Sequence, residues 1–312
     1  MSDSTKGILL ASVAALMWAV LAIALKMALN HIDSYTIVWW RFTVSFSLIL
    51  IIILFKKPSS LKIIKKPPIM LVFAGMLLGF NFIGYQEGVH YSGPAVSQII
   101  IQLGAITFAL VGFLFFKEPA NKLKISGFLL ALVGFGIFFY QQINETIDVP
   151  VNMKLGIIWL IIGGWTWTGY AVLNKILSKK VTILQINLFL YGIPMLMFLP
   201  FADFKTLFAP HTLGVWLLLI FVALNTIISY GSLSMAMKYT EANKTGMIII
   251  LNPVITLIIL EVMLWLEVNW FESHPMKLIA YIGAALILTG AFLATGAKAG
   301  KRITNSNPPN KL

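Results

Sequence analysis

The chain of 312 residues contains no cysteine and four histidines, which excludes disulfides and thiolate metal sites and leaves little for a metal cluster. Charge is scarce as well: charged residues make up 11% against 59% hydrophobic, a balance outside that of soluble globular domains. A nucleophile elbow, a metal-ligand spacing and a phosphate loop are all missing, so catalysis finds little support, no cofactor is expected, and ATP-driven pumping would need a second subunit. The net charge of +12 would suggest nucleic acid in a soluble protein, but the lysines sit in short tracts between apolar runs. That arrangement speaks of membrane topology, with the bilayer as partner and no polyanion.

What the chain has in abundance is apolar runs of the roughly 20 residues that a helix needs to cross hydrocarbon. They fall at 8–28, 34–55, 69–88, 94–116, 123–140, 155–174, 182–201, 212–235, 242–266 and 276–297. Barrel strands would alternate in and out over about 10 residues, whereas 46–55 is apolar on every side. The expected fold is therefore all-α and integral to the membrane, with about ten transmembrane helices. The longest loops, 56–68 and 141–153, leave no room for a soluble domain, and the polar tail 298–312 reads as disordered.

Sliding the sequence on itself by 149 positions puts Gly7 on Gly156, Trp18 on Trp167, Lys26 on Lys175, Glu118 on Glu267, Leu129 on Leu278, Ala131 on Ala280 and Gly134 on Gly283. Two repeats follow, 7–145 and 153–297. Each carries about five spans, and an odd number starts the second half on the opposite side of the membrane, so the repeats are inverted. Lysine placement agrees. With the N-terminus inside, the inner segments hold Lys56, Lys57, Lys62, Lys65 and Lys66, then Lys117, Lys122 and Lys124, then Lys175, Lys179 and Lys180, and Lys298, Lys301 and Arg302 in the tail. The outer loops hold Lys154, Lys205 and Lys277 and collect Asp33, Glu145, Asp148, Asp203 and Glu272. Because cytoplasmic loops retain Lys and Arg, both termini are expected in the cytoplasm.

Trp18-Ala19-Val20 followed by Lys26 and Arg41, and the stretch from Tyr239 through Asn252-Pro253 to Glu267, resemble motifs of the drug/metabolite transporter superfamily, specifically its EamA-type members. The matching first-half stretch runs from Tyr91 to Glu118 and departs at Gly104, which stands where the second half has Pro253. The resemblance covers about residues 7–297. It implies secondary transport by alternating access around a central cavity lined by the first four spans of each half, with the fifth spans, 123–140 and 276–297, as scaffold. Small organic metabolites or amino acids moving outward across a bacterial inner (plasma) membrane are the implied cargo, with a coupling proton or ion and a homodimer compatible with the sequence. A multidrug exporter is the alternative within that class, and a membrane enzyme or structural subunit the alternative outside it.

Polar groups are expensive in hydrocarbon and so face a partner helix or a water-filled path. Gln98 and Gln102 stand four apart and share a helical face, as do Asn81 and Tyr85, and Asn225 and Ser229 with Tyr230 beside them. Thr245, Asn252 and Thr256 follow at separations of seven and four. With Trp18 and Trp167 at mid-span, these residues predict a substrate cavity of amide, hydroxyl and aromatic walls; the same amides and hydroxyls also suit interhelical ties. Arg41 lies about two turns inside the second span, where Asp33 or a substrate carboxylate suits it as partner and snorkelling to the outer interface is the alternative. Glu261 points about 180° from Asn252 and is read either as a coupling group or as a partner for another helix.

Alkaline phosphatase fused within 29–33 or 202–211 should be active, and fused within 56–68 inactive. The reverse pattern would overturn the assigned orientation.

Overall fold

The computed structural model describes residues 3–144, 151–268 and 278–296. Among these it is helical and without strands: α1 (Asp3–Ala28), α2 (Ser34–Lys56), α3 (Ile69–Ile100), α4 (Gln102–Leu114), α5 (Lys122–Asn144), α6 (Val151–Leu177), α7 (Ile183–Phe198), α8 (Phe204–Leu207), α9 (Leu213–Tyr239), α10 (Ala242–Ile249), α11 (Asn252–Trp265) and α12 (Leu278–Gly296). Eight helical stretches are long and apolar enough to cross a membrane, among them Ile69–Pro94, Val96–Leu114 and Ala242–Trp265; Tyr281–Ala294 is a shorter apolar helix. Glu145, Asp148, Glu272, Lys277 and the tail 298–312 lie outside the described residues.

Local chemistry sets the helix ends. The Asp33 carboxylate accepts from the Thr36 amide at 3.0 Å and opens α2, and Thr182 with Gln185 forms a reciprocal cap on α7. Gly93 has φ +75°, a value a side chain resists, and Pro94 follows it. Together they turn the chain inside α3, so that one continuous helical run reverses from the third span into the fourth.

The fourth span is then broken at Ile101, between α3 and α4, and the corresponding second-half span at Ile250–Leu251, between α10 and α11. Ile101 and Ile250 are 149 positions apart. Pro253, which lacks an N–H, accounts for the second break. Gly104 holds its place in the first half, and the break is present there too. A Cβ on Gly104 would stand 2.6 Å from the Gly164 carbonyl oxygen, and the Thr168 hydroxyl donates to the Gly104 carbonyl at 3.0 Å. Close approach to α6 thus accompanies the break where the other half has a proline.

The largest helix pairings are α3 with α6, α5 with α12, and α1 with α9. Small residues permit them: Gly84 lies against Gly163 and the Trp159 carbonyl, Gly134 against the Gly283 carbonyl, and Gly7 against Thr240. A shift of 149 positions carries α1 onto α6 and α3 onto α9, so the α1–α9 and α6–α3 pairings are counterparts.

Gly104→Ala should destabilise the protein by about 1–3 kcal/mol, since rigid backbone cannot yield to the new methyl. Gly136→Ala, whose Cβ would meet nothing within 4 Å, should be neutral or stabilising by about 0.5–1 kcal/mol. Thermal unfolding in detergent measures both; equal effects would contradict the close packing at Gly104.

Candidate functional site

The broken spans meet at an internal cavity of about 60 Å³. Trp18 and Leu21 reach it from α1, Arg41 from α2, Asn81, Phe82, Tyr85 and Gln98 from α3, Gln102 and Ala105 from α4, Trp167 from α6, Tyr230 from α9, Ile249 from α10 and Asn252 from α11, with Ile101 at the first break. Both helix breaks border the same space. Irregular backbone at membrane depth is tolerated where it lines such a space.

An aromatic chain forms one wall. Phe42 packs on Phe82 with ring centroids 4.3 Å apart, Phe82 on Tyr230 at 5.2 Å, Tyr230 on Trp18 at 5.1 Å, and Trp18 on Trp167 at 6.2 Å. Trp18 and Trp167 are 149 positions apart, and so are Asn81 and Tyr230, whose hydroxyl donates to the Asn81 amide oxygen at 3.2 Å. Counterpart residues therefore touch one another across the centre. Asn81 also donates to the Gly163 carbonyl at 3.0 Å, which uses both ends of its amide.

Other polar groups in the cavity keep free capacity. Gln98 donates to the Trp18 carbonyl at 2.9 Å, whereas the Tyr85 hydroxyl, the Gln102 amide oxygen and the Asn252 amide oxygen are buried without a hydrogen-bond partner. Arg41 is 2% exposed. It neither snorkels nor pairs with Asp33: its Nε donates to the Thr226 hydroxyl at 3.0 Å and its guanidinium lies 4.5 Å from the Phe82 ring centroid.

Asn225, Ser229, Thr245 and Thr256, expected at the site, lie outside the cavity lining, and so does Glu261, which the sequence placed off that face. Asn225 donates to the Met17 carbonyl at 2.7 Å and ties α9 to α1. Thr256 donates to the Ala19 carbonyl at 3.0 Å and ties α11 to α1. The Thr245 hydroxyl donates to the Glu241 carbonyl at 3.0 Å, one turn back. Glu261 accepts from the Tyr281 hydroxyl at 2.9 Å, between α11 and α12. Conversely, Leu21, Phe82, Ile101, Ala105 and Ile249 line the cavity without having been singled out. Leu21 and Ala105 carried a signal, each three residues on from Trp18 and Gln102 and on the same helical face.

A second polar cluster sits at one end of the bundle. The Glu118 carboxylate accepts from the Ala242 and Asn243 amides at 2.7 and 2.9 Å, closing the N-terminus of α10. Lys175 Nζ lies 3.5 Å from Glu118 and donates to the Thr240 carbonyl at 2.8 Å. Beside it, Lys124 Nζ meets Glu241 at 2.6 Å and the Pro119 carbonyl at 3.0 Å. Their counterparts 149 positions away, Glu267 and Lys26, form no ion pair among the described residues. The match of Lys26 to Lys175 and of Glu118 to Glu267 was visible in the repeat, but not that the two residues meet.

Comparison with known proteins gives a consistent result. The model of the EamA-like transporter family matches residues 5–140 and again 154–296. An uncharacterized transporter of Haemophilus influenzae is 30% identical over 294 residues, 92% of this chain and 94% of the relative. The uncharacterized inner membrane transporter YhbE of Escherichia coli K12 is 30% identical over 290 residues, 91% of this chain and 89% of YhbE. A crystal structure sharing 18% identity superposes with a TM-score of 0.71 over 94% of this chain and 98% of its own, which places the two in one fold.

Asn243 is almost wholly buried. In this cysteine-free chain, Asn243→Cys should react slowly with a maleimide, and adding Glu118→Ala should speed labelling by about tenfold or more, the factor for losing a charge-assisted hydrogen bond. Unchanged labelling would show that Glu118 does not hold this end closed.

Proposed function

The chain belongs to the EamA-like transporter family, and from that footing we propose that it is a secondary transporter that carries a small organic solute, an amino acid or related metabolite, outward across the bacterial inner membrane. The observation that carries the proposal is the cavity bordered by both helix breaks and by counterpart residues in contact, Trp18 with Trp167 and Asn81 with Tyr230. A site built from matching pieces of two halves favours rocking of one half against the other around a fixed centre. On this reading the halves are inverted five-span repeats, ten spans in all, with both termini in the cytoplasm. The fifth spans, within α5 and α12, pack chiefly on each other and serve as scaffold.

The Glu118 cluster then acts as a latch at the cytoplasmic end, and Glu267 with Lys26 as its outer counterpart. The two are unequal. Glu118 closes on two amides, Ala242 and Asn243; the positions 149 earlier are Gly93 and Pro94, and proline has no N–H to offer. The outer latch therefore has one amide fewer, which biases the resting protein toward the cytoplasm-closed state.

Purified protein in proteoliposomes should catalyse uptake or release of radiolabelled solutes from a panel of amino acids and metabolites. Gln98→Ala/Gln102→Ala and Asn252→Ala should lower that flux by about tenfold or more while the protein stays folded, by loss of hydrogen bonds in a dry site. Flux indifferent to these substitutions would remove the cavity from the solute path, and no flux of any solute would contradict transport of this class.

A further inference from the structure

We propose, resting on the transport reading above, that the cavity selects solutes bearing a carboxylate, which docks on the Arg41 guanidinium, together with an adjacent N–H or O–H donor that satisfies Gln102 and Asn252. Arg41 is the one charged residue that lines the cavity, and no carboxylate lines it among the described residues. Its Nε is committed to Thr226 and its face to Phe82, and it forms no ion pair among the described residues. An arginine fork presents its remaining N–H donors in the geometry of a carboxylate's two oxygens. A charge buried at membrane depth without a counter-ion is costly, and an anionic solute offsets that cost where a cation would add to it.

The remaining demand is for donors. The Gln102 and Asn252 amide oxygens, on α4 and α11, have no hydrogen-bond partner and belong to the same cavity, as does the Tyr85 hydroxyl. A buried acceptor left unsatisfied penalises any occupant that brings no donor. One positive fork beside two amides with open acceptor oxygens therefore suits an anion with an amine or hydroxyl nearby, and the fork disfavours cationic drugs. The aromatic wall of Trp18, Tyr230 and Trp167 suits an apolar body between them.

The wild-type protein in nanodiscs tests this through thermal stabilisation and through its tryptophan fluorescence, to which Trp18 and Trp167 in the cavity wall contribute. One series is L-alanine, L-lactate and propionate against alaninamide and 1-amino-2-propanol; the other is L-phenylalanine and 3-phenylpropionate against phenylalaninamide and phenethylamine. Within whichever series binds, the carboxylates should bind at least about tenfold tighter than their uncharged or cationic matches, and the acid carrying an amine or hydroxyl tighter than the bare acid. Arg41→Gln should abolish the carboxylate preference and Arg41→Lys restore it in part, with Gln102→Leu removing the preference for the second donor while leaving the first. Equal binding of acids and amides, or no binding of any acid, overturns the proposal. Flux of neutral or cationic solutes alone would leave transport standing and overturn the carboxylate site. Carboxylate binding without flux would leave the site standing and sink transport instead.

Discussion

Once water is removed, every polar group in the interior must be met by another, and this constraint shapes the helix ends, the breaks and the centre of the protein. Within the helices the backbone looks after itself. At the ends and breaks it needs help, and the help is specific: Asp33 for α2, Thr182 with Gln185 for α7, Glu118 for α10. Three of the groups left unmet line the cavity, Tyr85, Gln102 and Asn252, and others, such as Gln86 and Tyr191, lie elsewhere in the interior. In the cavity the three stand with the Arg41 guanidinium, which has no counter-ion among the described residues.

The same constraint explains the contrast between the two ends of the bundle. Starting a helix at Ala242 exposes amides that a carboxylate can close, and Glu118 supplies it with Lys175 at its side. At the counterpart turn the chain uses Gly93 and Pro94, a pair that reverses direction within α3 but offers one donor fewer. Two halves that match in position thus differ in chemistry, and a difference of a single hydrogen bond, about 1 kcal/mol, is enough to shift a two-state population several-fold.

Much of the helical architecture is legible in the sequence because hydropathy is a property of whole segments. The break in the first half was less so: without a proline at Gly104 it is accompanied by close approach to α6, at Gly164 some sixty positions away, and no local pattern reports it. Of the candidate site, Gln98 and Gln102 were readable from a spacing of four, since Ile101 still bonds to Ser97 in helical fashion. Thr245 was misleading for a physical reason. The spacing of seven from Thr245 to Asn252 crosses a tightened turn in which the Leu251 amide bonds to Ile248, so 100° per residue no longer holds. Asn225 and Thr256 prove to be interhelical ties, the alternative that composition alone cannot separate from cavity lining.

The central claim is that one cavity opens to each side of the membrane in turn. The most direct measurement is the reactivity of a single Gln102→Cys toward a membrane-impermeant thiol reagent, applied from the outside and from the inside of oriented vesicles. Alternation predicts reaction from both sides, with protection by a transported solute and with slower reaction from the side latched by Glu118. Reaction from one side only, or from neither with the protein folded, would contradict it.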